Sequence, residues 1–281
     1  MTAMLATGPV EGSPRDLRSI AALVHAHAGI VLPDAKSTLV FSRLSGPFRR
    51  SGLPRFADYV ARLETDEAAR REAIEALTTN HTGLFREAHH FDHVAADLRP
   101  ALMAKLRAGG RVRLWSAGSS SGEEVHSLAV TVLGGDPAEG RLIAGSDIAL
   151  LATDINTKVL AVGEAGTYAA AGIDAIPAPL RIWTEAQGDE LRFRAEVRRL
   201  IRFRQLNLLA AWPIRTGFDA IFCRNTMIYF DEPTKARLIA RLCDQLLPGG
   251  YLYIGHSERV TGPATAMLEP IGQTIYRKRP A

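Results

Sequence analysis

Apolar positions recur every three to four residues through the first eighty residues, and beyond residue 110 short continuous apolar runs alternate with helical spacing. Leu17, Ile20, Ala21 and Val24 follow the Ser13-Pro14 cap and first-turn pair and lead up to Gly29, which predicts a helix. A second helix begins at Pro33 and carries Lys36, Leu39, Val40, Arg43 and Leu44, and Gly46-Pro47 is expected to kink or end it. A third covers residues 54–63 and a fourth 66–77. No strand-like alternation interrupts them. Residues 1–80 therefore read as an all-α module of bundle type, with a loose tail over residues 1–12.

From residue 111 the pattern becomes α/β. Val112, Leu114 and Trp115 predict a buried strand, the run Gly118, Ser119, Ser120, Ser121, Gly122 a tight turn, and Glu123 and Glu124 the start of a helix. The unpaired N–H groups of a helix N-terminus can hold a phosphate or a carboxylate. Two carboxylates directly behind the turn argue against a polyphosphate and for a ligand with hydroxyls or an amino group, such as a nucleoside. Residues 148–156 form a continuous apolar run ending in acid, the pattern of a strand buried on both faces. Asp154 falls at its tip, where α/β nucleoside sites place the acid that binds ribose hydroxyls. The following helix covers 157–165.

Between residues 166 and 206 the rhythm lapses. Leu191 to Arg194 and Leu200 to Arg204 alternate apolar and basic residues, which suggests a small antiparallel insertion with a positive face. A strand over 218–223, a helix over 232–247 ended by Pro248-Gly249-Gly250, and strands over 251–255 and 274–277 resume the pattern. The expected architecture is a doubly wound Rossmann-like α/β domain over 81–281, with the insertion over 167–205, preceded by the all-α domain. Asp154, Asn207 and Asn225 then fall at the C-terminal ends of strands, which form the crevice in such folds.

Composition changes this picture little. A net charge of +4 is too small for this length to indicate nucleic acid. Cys223 and Cys243 lack metal-ligand spacing and read as reduced core residues. His81, His89, His90 and His93 stand in no ligand pattern, so no metal is expected. The N-terminus lacks a basic start before a long apolar run, and no apolar stretch nears the roughly 20 residues of a membrane span, so a cytoplasmic protein is expected. Lys36 and Arg43 share a helical face, extended by Arg49 and Arg50. That face is either a solvated surface or a docking site for an acidic partner.

LTTNHTGLFREAHHF, LWSAGSSSGEEVHSLA, LATDINTKVL with EAGTY, FDAIFCRNTMIYF and LPGGYLYIGHSE occur in this order between residues 77 and 258. Together they resemble the CheR-type chemotaxis receptor glutamate O-methyltransferases, and the N-terminal helices resemble that family's accessory domain. The resemblance implies a class I methyltransferase fold, S-adenosylmethionine as methyl donor and S-adenosylhomocysteine as product. The implied acceptors are glutamates in the acidic methylation region of a chemoreceptor's cytoplasmic helical bundle, modified during sensory adaptation at receptor arrays. It further implies cofactor contacts from Asn80, Thr82, Arg86, Glu123 and Asp154. Asn207, Leu208, Asn225 and Thr226 would surround the adenine and the methionine end, and Arg86 and Tyr229 would lie nearest the transferred methyl.

The chain departs from the family's pattern at His81, at Gly83-Leu84, at Val125-His126, and at Gly46-Pro47 within the basic helix. The insertion is short, which argues for an enzyme independent of a receptor C-terminal peptide. Arg224-Asn225-Thr226-Met227 stands where amino-directed nucleic-acid methyltransferases carry an Asn/Asp-Pro-Pro-aromatic loop, and residues 118–122 lack the pyrophosphate-binding G-x-G-x-x-G spacing. The remaining alternative is a non-catalytic signalling module that binds the same donor or product, against which Arg86, Asp154, Asn225 and Tyr229 speak.

Overall fold

Ser13 accepts a hydrogen bond from the Asp16 N–H and Asp16 accepts one from the Ser13 N–H, a capping box that starts α1 (Pro14–Ala28). Gly29 ends the helix in the left-handed region, φ 68°. The computed structural model describes residues 10–280, so residues 1–9 of the expected tail lie outside the described residues. It continues with α2 (Ser37–Ser51), α3 (Phe56–Thr65) and α4 (Glu67–Leu77). Ile20, Val24, Val40, Leu44, Tyr59 and Leu63 are buried in this unit, and Phe41, Phe48, Phe56 and Tyr59 pack largely edge to face. Chain contacts group Met1–Thr79 with Tyr229–Asp231, and Asn80–Ile228 with Glu232–Ala281. Within the first group the Val31 N–H donates to Tyr229 O at 2.8 Å, and His25 meets Asp231 at 2.9 Å.

Pro47 lies inside α2 and does not end it. It forfeits one intrahelical bond, but it is buried on the same side as Val40 and Leu44, and packing rather than local propensity carries a helix of this length. Two of the cations expected on a docking face are engaged within the unit. Arg43 donates to Leu77 O, Thr78 O and Thr79 Oγ1 at 2.8–3.1 Å, satisfying carbonyls at the end of α4. Arg50 forks onto Glu72 at 2.6 and 2.9 Å.

The second unit opens with α5 (His89–His93), which passes through a π-helical turn (Val94–Leu98) into α6 (Arg99–Arg107). β1 (Val112–Ala117), α7 (Glu123–Leu133), α8 (Pro137–Ala144), β2 (Ile148–Asp154) and α9 (Thr157–Ala165) follow. Then come β3 (Thr167–Ala169), β4 (Thr184–Gln187), β5 (Glu190–Phe193), α10 (Ala195–Leu200) and β6 (Ile201–Gln205). The chain closes with β7 (Phe218–Cys223), α11 (Glu232–Gln245), β8 (Leu246–Ile254), β9 (Leu268–Gly272) and β10 (Ile275–Lys278). The main sheet runs β6-β2-β1-β7-β8-β10-β9, its first five strands parallel and β10 antiparallel to both neighbours. Strand order reverses between β1 and β7, so the crevice of this doubly wound sheet opens there, beyond the C-terminal ends of the strands.

The expected antiparallel insertion exists as a three-stranded sheet, β3-β5-β4. The 200–204 run does not belong to it: Ile201 to Gln205 pair in parallel with Leu150 to Asp154 as β6, an edge of the main sheet. Ile201 and Phe203 face the core while Arg202 and Arg204 stay exposed, a pattern that an edge strand tolerates. After the polar turn formers Thr78, Thr79, Asn80 and Thr82 the sequence suggests a helix beginning near Leu84, but it begins only at His89, because Phe85 and Glu87 hold φ of 53° and 58°. The glycine-rich stretch after Leu133 reads as a loop in sequence, but it contains α8, capped by Asp136, and β8 begins at Leu246, ahead of Pro248.

Two buried histidines make stability depend on pH. Burial, reinforced for His90 by the nearby Arg224 guanidinium, pulls His90 down to about 3, and burial pulls His126 down to about 4. The unfolded chain takes up these protons near pH 6.5. Between that pH and the folded values the unfolded state binds more protons, so stability is lost as pH falls. The unfolding free energy from denaturant titrations is expected to drop by up to about 1.4 kcal/mol per pH unit for each histidine from about pH 7 to about pH 5. His126→Gln should flatten the slope, and a profile unchanged by that substitution would contradict the assignment.

Candidate active site

The chain leaves β1 through a turn tied to β2: the Gly118 and Ser119 N–H groups both donate to Thr153 O at 2.8 Å. Gly118 has φ 81°, and a Cβ there would collide with the Thr226 side chain, so the loop after β7 lies directly on this turn. Gly122, φ 89°, starts α7, and a Cβ at this position would come within 2.9 Å of Gly163 Cα. Ser120 between them takes φ 48°. Its N–H donates to Asp154 Oδ2 at 2.9 Å and its hydroxyl to Asn80 O at 3.0 Å. Asp154 Oδ1 accepts the Asn156 N–H at 2.9 Å, and the Leu206 N–H donates to Asp154 O at 2.9 Å. Asn80, Ser120, Asp154 and the strand end carrying Asn207 and Leu208 are thereby linked by hydrogen bonds. Asn207 Oδ1 accepts the Leu209 N–H, and Leu208 O accepts from Trp212 and Arg241. Glu123, half-buried, accepts from Ser121 Oγ at 2.8 Å.

Thr82 and Arg86 lie on the segment that precedes α5, both half-buried. The Phe85 N–H donates to Ser127 Oγ at 3.0 Å, and Arg86 Nη1 donates to His81 O at 3.0 Å. Arg86 O accepts from the buried Arg224, whose guanidinium also faces Glu124 at 3.3 Å and Glu87 at 3.5 Å. Burial pushes the Glu87 carboxyl upward, but Arg224, His256 and Asn225 outweigh it and hold Glu87 below the usual range. Glu124 goes the other way: burial raises it despite Arg224 and the Ser116 hydroxyl at 2.8 Å. Beside them Glu258 accepts the N–H groups of Gly255, Asn225 and Met227 at 2.6–3.1 Å, which fixes Asn225 at φ 56°. Tyr229 groups with the helical unit described above, through the Val31 to Tyr229 backbone bond.

Arg224, Glu87 and Glu258 were not among the site residues expected from sequence, and Glu124, read there as one of two carboxylates behind the turn, faces Arg224. One signal for Arg224 was legible. A cation directly after FDAIFC, a strand buried at every position but Asp219, has no wet face and needs buried anions. The histidines near the linker are occupied structurally: His90 meets Thr274 Oγ1 at 2.9 Å and His93 meets the Tyr253 hydroxyl at 2.8 Å. Among the described residues no cluster of His, Cys, Asp or Glu suited to a metal occurs, and no helix is long and apolar enough to cross a membrane.

The cradle fits an adenosyl ligand that carries an amino acid end. Ser119 Oγ is buried in it with no hydrogen-bond partner among the described residues. A sheet of this order with such a turn, lacking the glycine spacing of the dinucleotide enzymes, is a class I methyltransferase domain. Family comparison agrees: residues 80–277 match the CheR methyltransferase, SAM binding domain, and residues 15–78 match the CheR methyltransferase, all-alpha domain. The chain belongs to the CheR methyltransferase family, and S-adenosylmethionine is the cofactor of its second unit. It is 45% identical to a probable chemotaxis protein methyltransferase of Rhizobium etli, across 91% of this chain and 96% of that one. It is 38% identical to chemotaxis protein methyltransferase 2 of Pseudomonas aeruginosa, over 93% and 92% of the two chains. To the chemotaxis protein methyltransferase of Klebsiella aerogenes it is 40% identical, over 94% and 89%.

Proposed function

We propose that this methyltransferase esterifies side-chain carboxylates of glutamates in the acidic cytoplasmic helical bundle of a chemoreceptor, and thereby serves sensory adaptation in the cytoplasm at receptor arrays. The observation that carries this reading is Arg86: its backbone is pinned on both sides, while among the described residues only one of its five guanidinium N–H groups is used, by His81 O. Bound S-adenosylmethionine supplies an electrophilic methyl on a sulfonium. A glutamate with a reference pKa near 4.3 is already ionised at neutral pH, so no general base is required of the chain.

The chain's task is orientation and exclusion of water. In this reading Asn80, Thr82, Arg86 and Glu123 hold the methionine and ribose side, Asp154 accepts the ribose hydroxyls, and Asn207, Leu208, Asn225 and Thr226 enclose the adenine and the methionine end. The Arg86 guanidinium steers the incoming carboxylate, and Tyr229 hydrogen-bonds it or lines the methyl channel. The helical domain docks the receptor, with Lys36 contributing to its basic face. The β4–β5 hairpin, four residues in each strand, suits an enzyme that works without a receptor C-terminal peptide.

Calorimetry with donor and product, followed by transfer of labelled methyl to receptor cytoplasmic fragments, tests the proposal. Label released by mild base is expected, as for a carboxylate ester; binding without transfer to any fragment would refute it. Asp154→Ala is expected to weaken donor binding by about 10–100-fold, the loss of hydrogen bonds to a charged group. Unchanged affinity in the same calorimeter would remove Asp154 from the site.

A further inference from the structure

The connection from β6 to β7 spans residues 206–217 and contains no helix. In a parallel sheet each crossover normally lays a helix over one face, and strands buried on both sides result. Here the segment covers β1, where Trp212 meets Trp115 edge-on at 5.1 Å and the Arg241 guanidinium lies 3.9 Å from the Trp212 ring. It leaves the neighbouring face of β2 and β6 open. A groove of about 670 Å³ remains, floored by Ala149 and Leu151, which are only half-buried, with Pro213 and Ile214 also lining it.

Five arginines line this groove and no Asp or Glu does. Arg113 is neutralised by Asp147 at 2.6 Å. Arg111, Arg202, Arg204 and Arg215 form no ion pair among the described residues. Arg202 donates through Nη1 to Arg199 O and Ile201 O, and Arg204 through Nη1 to Phe203 O, so each keeps most of its fork for an outside acceptor. These folded-back side chains also screen the edge of β6, which disfavours an added strand.

We infer that this groove docks an acidic amphipathic helix from a partner protein, completing the layer that the fold omits. A small anion would leave the aliphatic floor wet, and an apolar helix would strip water from four uncompensated guanidinium groups. A helix with an apolar stripe on Leu151 and Ile214 and carboxylates at Arg202, Arg204 and Arg215 satisfies both. The seven residues of β2 span about 23 Å, the length of a helix of about 15 residues. Its lining runs from Arg111 and Arg113 near the start of β1 up to Thr153, Gln205 and Leu206, and includes none of the residues expected to hold the cofactor.

The probe is a fluorescent peptide of about 15 residues with leucines at helical spacing flanked by glutamates, titrated against the full chain by anisotropy. Saturable binding is expected, weakened at least about 10-fold by Arg202→Glu with Arg204→Glu and by raising salt from about 50 to about 200 mM. Both arginines are exposed, so donor binding by the variant should stay within about twofold. Hydrogen exchange should slow over residues 201–206 and 213–216 when the peptide binds. The inference is overturned if the peptide does not bind, or binds wild type and variant alike. It is equally overturned if a scrambled peptide of the same composition or inorganic tripolyphosphate competes as well, or if protection appears elsewhere.

Discussion

Arg86→Ala is expected to reduce methyl transfer by at least about 10²-fold while leaving the fold intact, the range seen when one preorganised donor to a developing charge is removed. The reason lies in the backbone as much as in the side chain. Phe85 and Glu87 flank Arg86 with φ of 53° and 58°, a region that costs residues with a Cβ about 1–3 kcal/mol each. Such strain persists only where the surroundings over-determine it. Here the Ser127 hydroxyl holds the Phe85 N–H, Arg224 holds Arg86 O and meets Glu87, and His256 meets Glu87 at 3.1 Å. The guanidinium is delivered to a fixed place, with four N–H groups uncommitted among the described residues. Single-turnover transfer with saturating donor is the measurement, with a thermal melt beside it. Arg86→Lys should recover little, because an ammonium lacks the planar fork that matches a carboxylate. Near-wild-type turnover in the alanine variant would show that substrate orientation comes from elsewhere.

The turn after β1 and the place of Asp154 at the end of β2 were readable from residue order alone, for a physical reason. The turn over residues 118–122 and the acid at position 154 follow from local rules: small residues where backbone must approach a ligand, and a charge at the tip of a strand otherwise apolar. The helical repeats at Leu17 to Val24 obey the same logic. What escaped were features decided by tertiary packing. Gly46-Pro47 reads as a kink or an end, yet burial keeps α2 continuous through Pro47. Leu84 reads as a helix start, yet the bonds to Ser127 and Arg224 hold the chain in a strained turn until His89. The 200–204 run reads as part of a small hairpin sheet, since alternation cannot distinguish an antiparallel strand from the exposed edge of a parallel one. Arg43, read as a surface cation, caps α4 through contacts 34–36 residues away along the chain. Long-range partners of this kind leave no periodic trace.

Arg224→Met is expected to be the most destabilising single change in the second unit, at about 3–5 kcal/mol, the loss typical when one member of a buried ionic group is removed. Methionine fills comparable volume, so the effect reports charge and hydrogen bonding more than a cavity. Without the guanidinium, Glu87 and Glu124 face each other's charge in a desolvated pocket, and Arg86 O loses its donor. Glu124, already raised by burial, is the group that takes up the proton. The variant should therefore be most deficient at high pH and recover as pH falls and Glu124 is neutralised. Adding Glu124→Gln to Arg224→Met should restore part of the stability at neutral pH, whereas Glu124→Gln alone should be mild. The thermal midpoint is expected to fall by roughly 5–15 °C in the single variant. Transfer should fall as well at temperatures where the variant remains folded, since the strained 85–87 turn has lost its anchor. A double-mutant cycle over pH separates the cases: additive effects of the two substitutions would show that Arg224 and Glu124 are not coupled and that the hub is packing alone.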